Sequence, residues 1–375
     1  MVKFLHTSDW HLGMRRHFLD EEAEPRYRQD RMEAVRRIGE VARGEGCDFV
    51  VAAGDLLDSN QVDPRTVARA VEALRSIPVP VYLLPGNHDA ADASSMLSGE
   101  AFSRIRPPHV HVLDSGGVTE VAPGVEIVAA PWRTRRPLSD LVREACEALE
   151  PGPLRIVLGH GAVDRLSPDA DDPALIEAAR AEAAIDSGCV HYVALGDRHS
   201  TTAVGDSGRI WYSGTPEPTG FDEEAPGEVL VVSLDRESIE VERRRVGRWT
   251  FRRLRATFSG DDELDGFSEE LARLPEKERT VVRLTLQGTL TLQGRARLDT
   301  MLEEARHVFA GIDVSEGRSE LAVIPDDADF ADLELVGFAR EAVDELRASA
   351  EGEGTDAGTA RDALGLLVRL AGRGA

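Results

Sequence analysis

The chain has 375 residues, 42% of them hydrophobic and 30% charged, which is long enough for two domains with a sizeable buried core. Its formal net charge of −24 opposes unaided binding to the phosphate backbone of nucleic acids. No apolar run reaches the roughly 18–20 residues of a membrane span, and charged residues interrupt the N-terminus where a signal peptide would be apolar. The three cysteines are scattered, which is typical of a reducing compartment. We therefore expect a cytoplasmic protein with no membrane partner.

The first 247 residues alternate predicted strands with predicted helices. The strand "VKFLHTSD" precedes a helical pattern that ends on Gly44 and Gly46, and the strand "CDFVVAAGD" precedes a helix with Pro64 in its first turn. Later predicted strands are "VPVYLLPGNHD", "EIVAAPW", "RIVLGHG", "VHYVALGD", "RIWYSG" and "EVLVVSLD". This order predicts parallel strands with helices packed outside them, followed by an antiparallel part.

An arginine-rich segment follows the last of these strands. The chain has lysine only at Lys3 and Lys277, so its positive charges are nearly all arginine. The basic strip, as we call it, surrounds the aromatic residue Trp249 and consists of Arg243, Arg244, Arg245, Arg248, Arg252, Arg253 and Arg255. Either a nucleic-acid groove or a solvated strand face would have this composition, and the sequence leaves both interpretations open.

A second region, residues 248–330, reads strand, helix, strand, helix, strand, and predicts a small α+β module. Residues 331–375 contain two amphipathic helical patterns joined by the Gly-rich segment "EGEGTDAGTA". These helices could pair with a second copy of the chain or with another protein. No P-loop pattern is present, so we expect no ATPase activity from the chain itself.

Polar clusters directly follow five predicted strands of the first region. Because the carboxyl ends of parallel strands lie along one edge of a sheet, residues far apart in sequence should converge there. Any one cluster could be an ordinary loop start, but five in succession indicate a site. The clusters are "SDWH" with Asp9 and His11, "GDLLD" with Asp55, "GNHD" with Asn87, His88 and Asp89, "GHG" with His160, and "GDRH" with Asp197 and His199.

The residue types in these clusters indicate metal binding. They are Asp, His and Asn without Cys, which suits manganese, iron or zinc in a site without thiolates. Several carboxylates that converge without cations between them would repel one another. A metal centre is therefore the natural interpretation.

This set of motifs resembles the calcineurin-like metallophosphoesterases, whose pattern is DxH, GDxxD, GNH(D/E), GH and GHxH. "HTSDWHLG", "AAGDLLDS", "LPGNHD" and "WYSGTPEPTGFDE" are similar to the SbcD-type exonuclease subunits of bacterial SbcCD DNA-repair complexes. The resemblance implies an α/β fold: a two-sheet α/β sandwich with a small α+β capping domain and C-terminal helices. It also implies a nuclease domain over residues 1–247, a DNA-capping domain over 248–330 and an ATPase-binding segment over 331–375.

The resemblance also implies roles for the site residues. His88 would stabilise or protonate the leaving oxygen, and Asp89 would orient His88. Asp55 would bridge two divalent ions, with Mn²⁺ the best guess, and a water shared by such ions is nucleophilic near neutral pH. The other ligands would be Asp9, His11 and His199 for one ion, and Asn87, His160 and Asp197 for the second.

Position 197 departs from the resemblance, because the family pattern has His where this chain has Asp. A carboxylate is a competent ligand for a hard divalent ion. Its extra negative charge should hold the metal more tightly and make it a weaker Lewis acid. We therefore expect a retained site in which Asp197 is a ligand, the alternative being a degenerate site.

Three functions follow from these patterns. The first is a Mn²⁺-dependent DNA exonuclease or endonuclease that acts with an SMC-like ATPase of the SbcC type, which would supply DNA binding. The second is a phosphodiesterase or nucleotidase for small molecules on the same fold. The third is a non-catalytic scaffold in which Asp197 marks decay. The long continuation after the last motif favours a polymer substrate and a protein partner.

Overall fold

The computed structural model describes residues 1–169, 171–324, 338–350, 359–360 and 363–364. The chain divides into two compact units, of which the first comprises residues 1–17 and 24–249. The second comprises residues 18–23 and those from 250 onward. Most of the predicted C-terminal segment, including residues 351–358 of the Gly-rich linker, lies outside the described residues. Within the described part of the chain, no helix is long and apolar enough to cross a membrane.

The first unit contains two six-stranded sheets, and the first sheet has the N-terminal strand near its centre. Strands β1 to β4 pair in parallel, and the two late strands add to β1 in antiparallel order. Every residue of the second strand is buried, as expected for a parallel strand covered on both faces. In spatial order the strands are β12 (Ile239–Arg245), β11 (Glu228–Leu234), β1 (Val2–Thr7), β2 (Phe49–Ala53), β3 (Val81–Leu84) and β4 (Val110–Val112).

The second sheet has a parallel centre and two antiparallel edge strands. Its strands, in spatial order, are β5 (Gly117–Ala122), β6 (Val125–Ala129), β7 (Leu154–His160), β8 (Tyr192–Gly196), β10 (Ile210–Tyr212) and β9 (Thr202–Val204). The two sheets pack face to face through a shared apolar cluster, in which the rings of Phe4 and Tyr192 are 5.4 Å apart. The predicted two-sheet sandwich is confirmed.

Helices cover the outer faces of both sheets. Those packed on the first sheet share a core with it, and those on the second sheet share another. Asp63 caps one of them by accepting a hydrogen bond from the N–H of Arg65, and Pro64 fills the first helical position, where no N–H is needed. The helices are α1 (Ala23–Gly44), α2 (Pro64–Arg75), α3 (Glu100–Ile105), α4 (Leu141–Cys146) and α5 (Ala178–Asp186).

The second unit is a small α+β module whose long strand β14 (Thr280–Thr291) pairs in parallel with three others. Two of its helices and its sheet enclose a separate apolar core. The other elements, in chain order, are β13 (Thr250–Phe258), α6 (Glu263–Ala272), α7 (Leu292–Arg306), β15 (Gly311–Val314), β16 (Glu320–Ile324) and α8 (Phe338–Ala350). Val343 and Ala350 of α8 pack in a cluster with Leu292.

Candidate metal centre

The polar residues identified in the sequence lie at or just beyond the carboxyl ends of β1, β2, β3, β7 and β8. Four of them have left-handed backbone conformations, with φ of 54° at Asp9, 43° at His11, 54° at Asp55 and 97° at Asp197. For residues other than glycine, such conformations persist only where the surrounding structure enforces them. The N–H of Asp9 donates to the carbonyl of Gly54 at 3.0 Å, and that of His11 to the carbonyl of Asp55 at 2.9 Å. These bonds lock the first two loops together.

One group of converging side chains consists of Asp9, His11 and His199, whose ligand atoms lie within 4.8 Å of one another. The Nε2 atoms of the two imidazoles are 3.1 Å apart. His199 Nδ1 lies 2.6 Å from the Thr219 hydroxyl and 3.0 Å from a carboxylate oxygen of Glu223. A proton on Nδ1 satisfies Glu223 and leaves the Nε2 lone pair directed at His11. Two ring nitrogens this close need a proton or a cation between them.

A second group shares Asp9 with the first and adds Asp55 and His160, again within 4.8 Å. His160 Nδ1 donates to the carbonyl of Ala53 at 2.8 Å, so in the neutral ring the Nε2 lone pair faces Asp55 Oδ1, which is 3.4 Å away. The backbone is tightly packed here, because a Cβ added at Gly196 would lie 1.9 Å from the Ala53 carbonyl oxygen. The second group therefore depends on glycine at this strand end.

Asn87 contacts two of these residues. One terminal atom of its amide lies 2.8 Å from His160 Nε2 and 3.1 and 3.2 Å from the two carboxylate oxygens of Asp55. The NH₂ group in that position donates to these acceptors, whereas a half-turn of the amide would present its oxygen as a metal ligand. Asn87 thus lies where the sequence predicts a ligand.

The electrostatics of the site favour positive charge. Burial would lower the pKa of His160, but Asp55 and, more weakly, Asp9 and Asp197 raise it well above its ordinary value. Burial would raise the pKa of Asp55, yet the neighbouring imidazoles, His160 above all, lower it. Burial also raises the pKa of Asp197, with the charges of Asp9 and Asp55 adding to the effect. A pocket that draws a proton onto a buried imidazole also attracts a metal cation.

Asp197, the departure from the family pattern, lies at the edge of this site. Its backbone N–H donates to both carboxylate oxygens of Asp9, at 3.0 and 3.2 Å. Its own carboxylate lies 3.8 Å from His160 Nε2, and its side chain is 34% exposed. In the described part of the chain, none of the tight ligand groups includes Asp197. Its role as a ligand therefore stays a prediction.

His88 lies at the mouth of the site with its side chain 43% exposed. Its Nδ1 is 2.8 Å from the carbonyl of Asp58 and can donate to it, so the ring presents Nε2, which is 4.0 Å from Asp55 Oδ2. His88 also forms a group with His11 and Asp58 whose ligand atoms lie within 4.8 Å. An exposed ring with one nitrogen anchored can exchange a proton with a bound molecule through the other.

Asp89 is fully buried and acts on the backbone of two loops. Its carboxylate accepts hydrogen bonds from the N–H groups of Leu56 at 2.8 Å, Leu57 at 3.0 Å and Gly86 at 2.7 Å. Burial, together with the charge of Asp55, raises the pKa of Asp89 to about 6. We expected Asp89 to orient His88, and these bonds provide an indirect route through the loop that carries both.

Sequence reasoning did not single out three further residues at this site. Glu223 and Thr219 hold His199 from behind, and Asp58 lies 3.6 Å from His11 Nδ1, an atom to which the described residues make no hydrogen bond. Asp58 is the second aspartate of "GDLLD", and Glu223 follows "TGFD", so both lie in or beside quoted motifs. The sequence does not show that these residues lie behind the ligands, because the side chains that support a ligand imidazole come into contact with it only in the folded chain.

The basic strip is not a groove lined by an aromatic residue. The side chain of Trp249 is fully buried and its indole N–H donates to Asp30 at 3.0 Å. Arg244 binds Glu45 at 2.6 Å and Glu242 at 2.5 Å. The strip is also divided, since the first unit ends at Trp249. The first half of the basic strip is therefore largely an ion-paired strand face, which favours a solvated strand face over a nucleic-acid groove.

The residues present fit two divalent ions. Imidazole, carboxylate and amide groups converge without a thiolate, and two adjacent groups of ligand atoms share Asp9. The facing nitrogens of His11 and His199 and the Asn87 amide among acceptors are the arrangements that a cation would satisfy. Oxygen and nitrogen donors of this kind suit manganese, iron or zinc.

Several known proteins are similar to this chain. The chain is 24% identical to the DNA double-strand break repair protein Mre11 of Haloferax volcanii, over 88% of this chain and 72% of that protein. It is 27% identical to the SbcD component of the nuclease SbcCD from Rhodobacter capsulatus, over 59% of this chain and 64% of that protein. A solved dimetal phosphatase from Danio rerio has a TM-score of 0.42 at 14% identity, over 65% of this chain and 96% of that one.

Residues 2–200 match the family described as calcineurin-like phosphoesterase, and this range contains every predicted ligand and both predicted catalytic residues. The chain belongs to the calcineurin-like phosphoesterase family.

Proposed function

We propose that this chain is a metal-dependent nuclease that hydrolyses phosphodiester bonds in DNA. The observation that carries the proposal is the pair of adjacent ligand groups that share Asp9 in the first unit. Phosphodiester hydrolysis has little covalent chemistry for side chains to perform, so a pair of ions in one site is well suited to it. The names of the Haloferax and Rhodobacter relatives support DNA as the substrate.

The ligand roles are part of this proposal. Asp55 would be shared by the two ions, which we take to be Mn²⁺, because one of its carboxylate oxygens lies 3.8 Å from His11 Nε2 and the other 3.4 Å from His160 Nε2. Asp9 also borders both groups and is assigned to the first ion. Asp9, His11 and His199 would hold one ion, and Asn87, His160 and Asp197 the other. Bound there, such ions would lower the pKa of a water molecule and offset the negative charge that builds up on phosphorus.

His88 is the proposed proton donor. The carbonyl of Asp58 fixes the imidazole through Nδ1, which leaves Nε2 at the open side of the site. A phosphate seated on the ligand groups would meet this nitrogen, and a proton delivered from it would stabilise the leaving oxygen. Asp89 would support this position through the backbone of both loops.

A protein partner would allow this negatively charged chain to act on DNA. A net charge of −24 repels a polyanion, so we propose that an SMC-like ATPase of the SbcC type supplies much of the DNA binding. The Rhodobacter relative is named as part of SbcCD, which supports an assembly of this kind. Residues 331–375 are the proposed segment for this contact, or for pairing with a second copy. The three free cysteines suit a reducing cytoplasm.

One cleavage assay with Mn²⁺ distinguishes the nuclease from the two alternative functions. A small-molecule phosphodiesterase would cleave a nucleotide ester and leave linear duplex DNA intact when both are given with Mn²⁺. A non-catalytic scaffold would cleave neither. Cleavage of DNA by the full chain, with or without its ATPase, supports the nuclease.

The variant that tests the mechanism is His88→Ala. It should abolish cleavage and leave Mn²⁺ stoichiometry unchanged, because His88 is not a proposed ligand. His109→Ala is the matched control, since that imidazole contacts the carbonyl of Leu74 at 3.2 Å and has no part in the site. Unchanged turnover in His88→Ala would remove His88 from the mechanism.

A further inference from the structure

Arg31 of α1 is a buried arginine directly behind the candidate metal centre. It is 2% exposed, and its guanidinium stacks over the ring of Tyr27 at 5.4 Å. Nε and Nη2 donate to the carbonyl of Trp10 at 3.0 and 2.6 Å, and Nη2 reaches that of Asp9 at 3.4 Å. Nη1 donates to the Tyr27 hydroxyl at 2.8 Å and to the carbonyls of Glu217 and Pro218 at 3.1 and 3.3 Å.

These hydrogen bonds all end on neutral oxygen atoms. A buried guanidinium is costly unless its donors are satisfied, and it is commonly paired with a carboxylate. Here the guanidinium binds four backbone carbonyls and one hydroxyl, in the fixed fork that only arginine provides. Among the described residues, no carboxylate compensates its positive charge by direct contact, although the neighbouring site holds several.

The carbonyls that Arg31 binds belong to two segments that position ligands. Asp9 and Trp10 lie in the turn that joins the predicted ligands Asp9 and His11, both of which have left-handed backbone conformations. Glu217 and Pro218 lead to Thr219, whose hydroxyl contacts His199 Nδ1 at 2.6 Å. Arg31 thus ties the segment that carries two ligands to the segment that supports the third.

We propose that Arg31 is a positioning residue for the ion held by Asp9, His11 and His199. Its guanidinium fixes the spacing between the Asp9 turn and residues 217–219, and so sets the distance between the ligand atoms of that ion. The ion held by Asn87, His160 and Asp197 borders the Asp9 carboxylate but takes no ligand that residues 217–219 support, so it should depend on Arg31 less. This inference rests on the proposed two-metal site.

Arg37 provides a matched control on the same helix. Its Nη2 binds Glu217 Oε1 at 2.7 Å and its Nε binds the carbonyl of Val246. It therefore holds the same 217–219 segment from the other side, and its remaining hydrogen bond within the described part of the chain goes to the carbonyl of Asp30 rather than to the Asp9 turn. Losing Arg37 should cost stability without moving Asp9.

The experiment measures Mn²⁺ binding to the full chain by calorimetry, with circular dichroism to establish that each variant is folded. In Arg31→Met we expect one of the two sites to weaken by about 10–100-fold, the effect that outer partners have on metal affinity, while the other, which borders the Asp9 turn only through the Asp9 carboxylate, weakens much less. Arg31→Lys, which keeps the charge but has fewer donors, should recover part of the loss. Arg37→Met should bind both ions as the wild type does.

Three results would overturn the inference. Wild-type affinities in a folded Arg31→Lys or Arg31→Met chain would make Arg31 a purely structural residue. Equal weakening of both sites, or an equal loss in Arg37→Met, would show a general effect of destabilisation. A wild-type chain that binds fewer than two ions would refute the proposed metal site itself, and that outcome is visible before any variant is compared.

Discussion

His6 is a buried imidazole that joins the two sheets immediately behind the metal centre. It lies on β1 with no exposed surface, its Nδ1 is 3.1 Å from the hydroxyl of Tyr192, and its Nε2 is 3.2 Å from the carbonyl of Leu195. A neutral ring donates from Nε2 to the carbonyl and accepts from the hydroxyl at Nδ1. Burial therefore lowers the pKa of His6 to about 3, the Leu195 carbonyl opposing the shift only in part.

The lowered pKa makes stability depend on pH in a defined direction. An unfolded chain protonates His6 near its ordinary pKa of about 6.5, whereas the folded chain resists protonation until about pH 3. The contribution is present in full above about pH 6.5 and is lost progressively as the pH falls from that value toward the folded pKa of about 3. Each pH unit below the unfolded pKa of His6 lowers the free energy of unfolding by about 1.4 kcal/mol while the folded ring stays neutral. From pH 7.5 to pH 5.0 the free energy of unfolding should therefore fall by about 2 kcal/mol on account of this residue.

The assay is urea unfolding at pH 7.5 and pH 5.0, compared between wild type and His6→Gln. The variant loses some stability at both pH values, but its loss between them should be smaller than that of the wild type by about 2 kcal/mol. His307→Gln, which removes an exposed imidazole, is the control for the loss of a histidine as such. If wild type and His6→Gln lost equal stability between the two pH values, the imidazole would not be held neutral in the fold.

Two further predictions concern the metal site. Manganese loading and desalting should leave two ions per chain in the wild type and close to one in Asp197→Ala; one ion or none in both would mark the site as degenerate and favour the scaffold. Gly196→Ala should destabilise the fold by about 1–3 kcal/mol or more and weaken metal binding, because the new Cβ would overlap the Ala53 carbonyl that holds His160. Gly44→Ala, where a Cβ meets nothing within 4 Å, is the control, and equal thermal unfolding of the two variants would contradict the packing argument.

The convergence of the site could be predicted because it follows from strand order alone. Parallel strands with polar residues at their carboxyl ends must place those residues at one edge, whatever the details of packing. Asp9 and Asp55 both lie more than a hundred residues before His160 in sequence, and the structure brings the three within 4.8 Å. The apolar runs and helical periodicities that set this order are local properties that the sequence displays directly.

Two features could not be predicted because they depend on partners far away in the chain. The sequence left open whether Trp249 lines a nucleic-acid groove, yet it is buried against α1, where Asp30 accepts its indole N–H. The sequence did not single out Arg31, since nothing near it in sequence shows that it meets residues 217–218. In both cases the deciding contact spans more than 180 residues.

The effect of an aspartate at position 197 follows from the net charge of the site with two divalent ions. Asp9, Asp55 and Asp197 contribute three negative charges, so two divalent ions would leave a surplus of one positive charge, where a histidine at 197 would leave two. A smaller surplus retains the ions more firmly and attracts an anionic phosphodiester less strongly. Arg31, buried behind the same loops, adds a fixed positive charge that none of the carboxylates in the described part of the chain cancels by direct contact. The arginine and the aspartate therefore act in opposite directions on the electrostatic potential at the site.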